Sequence, residues 1–265
     1  MTDSWNEPEG IAPRGTLIVA AGRGETTDAY GRFGRRIAAD GYRVRALADV
    51  TADLPAALAA AGKLLVDDTL PGPKVVVGSD TGALFALRLA AQGAPGLDAL
   101  ILAGLPIVST EKVAATEKVA ATETAAAAES VAAAEDSGEK PAAVNLLGWE
   151  AELEARSACP AHRGVLGNGA VTPGALFSAP IPTELIGDTG YRPALPTLGL
   201  HGEDDTVSPL AEARAAYSGT LVTIAGGRHD VLNDVTHRTV AATIVLFLER
   251  LRLGADLPEI ARVRS

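Results

Sequence analysis

Short apolar segments alternate with stretches of helical periodicity along most of the chain. Thr16 to Ala21, Tyr42 to Leu47, Lys74 to Ser79 and Ala99 to Gly104 read as strands in the first half, and Thr197 to Gly202 and Leu221 to Ala225 in the second. Within them Val75-Val76-Val77 shows no polar alternation, as expected of a strand buried on both faces. Between the strands lie helical patterns. One starts at about Thr27, places Tyr30, Phe33 and Ile37 on one face, and ends at Asp40-Gly41, a C-cap signal. Others cover Ala52 to Leu65, Thr81 to Ala91, Leu210 to Tyr217 and Thr236 to Leu253. This order predicts the α/β class: a mostly parallel sheet of about six strands, joined by right-handed crossovers, with helices on both faces.

The middle of the chain departs from this pattern. Ser109 to Asp136 is dominated by Ala, Thr, Glu, Lys and Val, and the hexamer Lys-Val-Ala-Ala-Thr-Glu occurs at Lys112 to Glu117 and again at Lys118 to Glu123. Such a period does not match the helical repeat, so Val113 and Val119 fall on different sides of a helix and form no core stripe. The segment reads as an Ala-rich surface helix or tether, with a flexible lid as the functional alternative. Pro141 to Pro196 is irregular, with short helical pieces such as Leu146 to Arg156. The expected organisation is a core in two halves, residues 1–108 and 195–265, with an insert and cap at 109–194 between two sheet strands.

Composition narrows the function classes. The chain has 265 residues, one cysteine and a formal net charge of −10. The acidic balance argues against nucleic acid or anionic membrane as the main partner. Aromatic residues are 4%, too sparse for a stacking platform. A single cysteine forms no internal disulfide and no multi-cysteine zinc site, so a reducing compartment is expected. Met1 to Gly10 is polar and acidic without a signal-peptide pattern, and no apolar run reaches the length of a membrane helix. These features predict a cytoplasmic protein with a small-molecule substrate, no metal or organic cofactor and no membrane insertion; they leave the oligomeric state open.

Candidate chemistry concentrates at strand ends. Val75-Val76-Val77-Gly78-Ser79-Asp80-Thr81-Gly82-Ala83 is a strand, a tight turn flanked by small residues and a helix, which is the context of a nucleophile elbow. Its tip is Asp80; Ser79 would point off the tip. Asp205 follows the Thr197 to Gly202 strand, with Asp204 as a rival one residue away and Glu203 expected in solvent. His229, after Gly226-Gly227, follows the next strand. Nucleophile, acid and histidine then appear in the chain order of a hydrolase triad. Backbone N–H groups of Arg23 and Thr81 are placed to form an oxyanion hole. The Arg23 guanidinium reads equally as a rim group for a carboxylate or phosphate and as a solvent-facing side chain. His201 is expected to pack at its strand end, His237 on an exposed helix face, and Cys159 within the cap. Gly22-Arg23-Gly24 lacks the third glycine of a dinucleotide fingerprint.

With Gly22-Arg23-Gly24-Glu25, Tyr30, Asp40-Gly41-Tyr42, the Gly78 to Gly82 elbow, His201-Gly202, Asp205, Gly227 and His229 together, the chain resembles the α/β-hydrolase superfamily, closest in layout to the lysophospholipase and monoacylglycerol-lipase-like group. That group has His-Gly before the oxyanion residue, where this chain has Ala21-Gly22, and a serine at the elbow. An aspartate there resembles the haloalkane dehalogenase and epoxide hydrolase branches. The resemblance implies an alkyl ester on Asp80, hydrolysed by water that His229 activates and Asp205 orients. Epoxide hydrolases protonate the leaving oxygen with cap tyrosines, and Pro106 to Gly190 contains none; dehalogenases place a tryptophan after the nucleophile, where this chain has Thr81. Trp149 and His162 are the cap side chains left to contact substrate in those roles. Two alternatives accompany this reading: a non-catalytic binding protein on the same scaffold, and an ester hydrolase of lysophospholipase type.

Overall fold

A computed structural model describes residues 2–107 and 146–262. The Ala-rich repeat lies outside them. The chain forms one seven-stranded sheet in the order β1-β3-β2-β4-β5-β6-β7. The strands are β1 (Thr2–Trp5), β2 (Gly15–Ala20), β3 (Tyr42–Leu47), β4 (Lys74–Ser79), β5 (Ala99–Ala103), β6 (Thr197–Gly202) and β7 (Thr220–Ile224). Pairings from β3 through β7 are all parallel. The expected six strands are therefore present, within a residue of their expected ends.

The seventh is a correction. β1 lies in the segment read as polar and acidic, for which no strand was expected, and it pairs antiparallel to β3, Thr2 opposite Leu47 and Trp5 opposite Val44. As an edge strand it needs little apolar content, so pattern alone does not reveal it. Its anchor is Trp5, whose ring lies so close to Gly34 that a Cβ there would come within 2.3 Å of it.

The long helices cover both faces. α1 (Gly31–Ala39) and α6 (His237–Leu251) bury Phe33, Ile37, Val240, Ile244 and Leu248 with Leu17, Val19, Val75 and Val77 of the sheet. α2 (Leu54–Val66) and α3 (Thr81–Ala91) bury Leu54, Leu65, Phe85 and Leu87 with Ile18, Ala20 and Val76. Adjacent residues of β2 and β4 thus point into opposite cores, which explains their unbroken apolar sequence. Burial of each such side chain contributes about 1.5–3 kcal/mol. The expected helix from Leu210 to Tyr217 is shorter, one turn at Leu210–Ala213 and a 3-10 turn at Arg214–Ala216. It stops because Tyr217 turns inward, where its hydroxyl accepts from the Leu105 N–H at 2.9 Å.

The described residues between β5 and β6 supply α4 (Leu146–Arg156) and α5 (Pro160–Val165). They are stitched to the core loops by main-chain bonds. Thr26 N–H donates to Ala170 O at 2.9 Å, Thr172 N–H to Gly24 O at 2.8 Å and Asp230 N–H to Arg156 O at 2.8 Å. The loops after β2 and β7 therefore meet this segment at the carboxyl edge of the sheet, where open α/β sheets hold their ligands.

Candidate active site

β4 ends at Ser79 and α3 begins at Thr81, leaving Asp80 alone to reverse the chain. Its backbone has φ 51° and ψ −121°, a conformation costing an aspartate about 1–3 kcal/mol. Two glycines permit the turn by close approach. A Cβ on Gly78 would lie 2.0 Å from Gly82 O, and one on Gly82 2.0 Å from Ala20 O. Asp80 N–H donates to Ala103 O at 3.1 Å and Ala83 N–H to Asp80 O at 2.9 Å, so β5 and α3 both hold the tip in place.

Two further residues line up behind it. His229 Nε2 lies 3.2 Å from Asp80 Oδ1, and its Nδ1 lies 2.8 Å from Asp205 Oδ2. Asp205 is oriented by the N–H groups of Val207 at 2.8 Å and Ser208 at 2.9 Å, which donate to its Oδ1. Asp204 and Glu203 are exposed, so of the adjacent acids it is Asp205 that meets the histidine. His201 is buried at the end of β6, donating from Nε2 to Ser208 O at 2.7 Å. His237 is half-buried at the start of α6.

The Arg23 side chain takes neither direction expected of it. It turns inward onto Asp80 and is 8% exposed. Its backbone N–H and Nε both donate to Asp80 Oδ2, at 3.0 and 2.8 Å, and Nη2 donates to Oδ1 at 2.8 Å. Gly22 lets this loop come in, since a Cβ there would stand 2.8 Å from Asp80 Cβ. The other backbone candidate, Thr81, is fully buried, and its Oγ1 has no hydrogen-bond partner.

Burial and charge compete at each group. Burial raises the Asp80 carboxyl, but the Arg23 charge and hydrogen bonds from His229 and Arg23 outweigh it and hold the group well below the usual carboxylate range. Burial lowers His229, yet the two flanking carboxylates prevail and push it up to about 10. Asp205 is likewise depressed, against its burial, by the His229 charge. At neutral pH the site is a balanced quartet of two anions, Asp80 and Asp205, and two cations, Arg23 and His229.

A second charged cluster sits directly behind the first, and pattern reading misses it. Arg156 of α4 is fully buried. Its Nη2 donates to Arg23 O at 2.8 Å, its Nη1 to Glu25 Oε1 at 3.2 Å and its Nε to Glu152 Oε1 at 3.1 Å, and Nη1 stands 3.6 Å from Asp230 Oδ1. Glu25 also accepts from Gly22 N–H at 2.9 Å and from the Tyr30 hydroxyl at 2.5 Å. Burial and the neighbouring Asp230 push Glu25 up to about 7, against the Arg156 charge and the Tyr30 bond. Glu25 and Tyr30 belong to the motif that carries the resemblance; Arg156, in an irregular stretch, has no local signal.

Neither of the two residues expected to contact substrate, Trp149 and His162, bonds to the Asp80 side chain. The Asp80 carboxylate bonds to Arg23 and His229, and its main chain to Ala103 and Ala83. Trp149 is half-buried against the α1/α6 core, and His162 faces Asp230 Oδ2 at 3.4 Å. His162 also lines a surface groove of about 650 Å³ with Trp5, Asp28, Arg32, Arg35 and Val165, away from the elbow. Cys159 is buried in the cap, its sulfur 3.3 Å from Arg32 Nη1. Among the described residues no cluster of His, Cys, Asp or Glu could hold a metal, and no helix is long and apolar enough to cross a membrane.

No protein-family model and no curated protein sequence matches the chain. Solved structures do. A monoacylglycerol lipase from Paleococcus ferrophilus is 15% identical with a TM-score of 0.67, over 94% of this chain and 97% of that one. The thioesterase domain from the curacin biosynthetic pathway is 18% identical with a TM-score of 0.61, over 92% and 94%. An esterase from Rhodococcus is 19% identical with a TM-score of 0.60, over 94% of each chain. The likeness runs nearly end to end, and the chain has the α/β-hydrolase fold.

Proposed function

We propose that the chain is a hydrolase that forms an alkyl ester on Asp80 from a small organic substrate with a leaving group on saturated carbon. One observation carries the reading: a strained aspartate at the elbow tip, in line with His229 at 3.2 Å and, through it, Asp205 at 2.8 Å. Backbone strain of this kind persists where the surroundings over-determine it, as they do at reaction centres.

The charges give the steps an order. In the resting site His229 carries a proton and is no base, because Asp80 and Asp205 both hold it. In the first step Asp80 Oδ1 forms a bond to carbon, and the carbon–leaving-group bond breaks with its electron pair. The carboxylate becomes a neutral ester. One of the two anions that raised His229 is gone, so the imidazole gives its proton to solvent. Neutral His229 then takes a proton from a water that attacks the Asp80 carbonyl carbon. Oδ2 becomes the oxyanion, already 3.0 Å from the Arg23 backbone N–H, with the Thr81 N–H as the second expected donor. Collapse expels the alcohol, protonated by His229, and leaves Asp80 as a carboxylic acid; that proton then passes to His229, restoring the carboxylate and the imidazolium. The base is thus available only after the nucleophile has been consumed.

The neighbours named as lipase, thioesterase and esterase suggest carbonyl substrates. Carboxylate attack on an ester carbonyl gives a mixed anhydride, a high-energy route, so saturated carbon is the better match for Asp80. A non-catalytic binding protein is the second reading. It is favoured by an Asp80 that is 1% exposed with both oxygens occupied.

The test is the intact mass of His229→Gln after exposure to pooled haloalkanes, epoxides and activated esters. A stable adduct mapped to Asp80 is expected, its added mass identifying the substrate class. Absence of an adduct from every pool, with wild type also inert, favours the binding protein.

A further inference from the structure

His162 takes no part in the elbow. It lines the surface groove between β1, α1 and α5, whose volume of about 650 Å³ suits a small molecule. The groove changes character along its length. β1 runs beside the turn Thr27–Tyr30 and then α1: Asp3 Oδ2 accepts from the Thr27 hydroxyl at 2.6 Å, and the Trp5 ring lies against Gly34. Asp3 and Asp28 therefore share one end, and Trp5 occupies the other. Arg35 follows Gly34 but folds back, so that its Nη1 would stand 3.3 Å from a Cβ on Gly31. Arg32, one turn before it, reaches across and donates to Asn233 O. Two cations thus lie between an acidic end and an aromatic one.

These charges do not satisfy one another. Among the described residues none of Asp3, Asp28, Arg32 and Arg35 is in an ion pair. Asp3 is held by Thr27, and Arg32 by Asn233 and Cys159. Other surface cations do find partners, Arg14 with Glu249, Arg43 with Glu7 and Arg88 with Asp188. Opposite charges kept apart in one groove leave room for a molecule that carries both.

His162 adds a directional demand. Its side chain is 3% exposed. Nε2 faces Asp230 Oδ2 at 3.4 Å, so the hydrogen belongs on Nε2, and Nδ1 is left as an acceptor. No group among the described residues donates to Nδ1. An acceptor buried without a donor is costly. The helix α5 that carries it packs against the Thr27–Tyr30 turn, beside the acidic end. Two carboxylates and an imidazole nitrogen there all call for N–H donors, and an ammonium has three.

We infer that the groove binds an α-amino acid with a large apolar side chain. The ammonium sits at Asp3, Asp28 and His162, the carboxylate on Arg32 and Arg35, and the side chain against Trp5 and the exposed Val165. Ammonium and carboxylate on one carbon match the step from Asp28 to the guanidinium over Gly31, about one turn of helix. A simple anion would leave the acidic end unmatched, and a simple amine the two guanidinium groups. No atom of the elbow takes part, so this site stands whether or not Asp80 is a nucleophile.

Equilibrium dialysis of L-phenylalanine against the full chain tests this. Saturable binding is expected, with a dissociation constant on the order of 0.1 mM. Phenylalanine amide lacks the carboxylate, N-acetylphenylalanine lacks the ammonium and glycine lacks the side chain. Each should bind at least ~10-fold more weakly. Asp28 and Arg35 are exposed, and replacing them leaves the fold intact. Arg35→Gln should weaken L-phenylalanine at least ~10-fold and leave the amide unchanged; Asp28→Asn should weaken it as much and leave the acetylated form unchanged. Absence of saturable binding up to about 10 mM overturns the inference. So does binding that neither variant weakens, which would place the amino acid elsewhere on the chain. Binding that needs Arg35 but tolerates acetylation would make this a plain carboxylate site and overturns it as well.

Discussion

Two buried charge clusters share the loop 22–25 and solve the same problem differently. The elbow cluster sets Asp80 and Asp205 against Arg23 and His229. The cluster behind it sets Glu25, Glu152 and Asp230 against the single guanidinium of Arg156, with His162 at its margin. In the first, anions and cations balance, and the extra proton rests on His229. In the second, carboxyl groups outnumber cations, and Glu25 shares its proton with solvent near neutrality, at about 7. The difference separates a site from its support. Glu152 is anchored by backbone N–H groups of Gly174 and Leu176, and Arg156 reaches three segments at once. Such a network cannot rearrange cheaply. The elbow cluster instead gathers its charges on one strained aspartate, which Arg23 and His229 both contact.

This contrast is most directly broken at its ends. Asp205→Asn should leave alkylation of Asp80 nearly intact while slowing release of the alkyl group by on the order of 10⁴-fold, as for other triad acids that orient a histidine. Single-turnover mass spectrometry separates the two steps, and an equal loss in both would erase the division of labour. Arg156→Met should destabilise the fold by about 3–5 kcal/mol, because three carboxyl groups lose their one buried cation. Urea unfolding measures this. A loss under about 1 kcal/mol would mean that the cluster supports nothing.

The clusters should also be separable by pH. His229 is raised from 6.5 unfolded to about 10 folded. Its contribution to stability is complete below 6.5 and is lost as pH rises through about 10. Glu25 is raised from 4.5 to about 7, so its contribution is lost earlier, between 4.5 and 7. Melting temperature should therefore fall with rising pH in two windows. Glu25→Gln should flatten the lower and His229→Gln the upper, and a variant flattening the wrong window would refute the assignment. The smallest effect is expected at Asp204→Ala. That side chain is exposed, and both stability and turnover should stay within about 0.5 kcal/mol of wild type.

Much of this was legible in the amino-acid sequence. The strand–helix alternation, the glycines at 78 and 82 that allow the Asp80 turn, and the order Asp80, Asp205, His229 are local signals, each carried by a few adjacent residues. The period of apolar positions and the small size of glycine act within one or two turns of chain, so they can be read without a fold. Other features depend on which loops meet at one sheet edge. Arg23 and Asp80 are 57 positions apart, and nothing local directs that guanidinium inward rather than to solvent. Arg156 contacts Glu25 across 131 positions, from a short helical segment whose pattern names no partner for that side chain. The edge strand Thr2–Trp5 is polar and becomes a strand only because β3 offers it free hydrogen-bonding groups. The choice of Asp205 over Asp204 turned on one residue of loop path. Apolar patterning is written along the chain because burial acts on each side chain by itself; charge pairing is decided by tertiary structure because it acts between side chains that only the fold brings together.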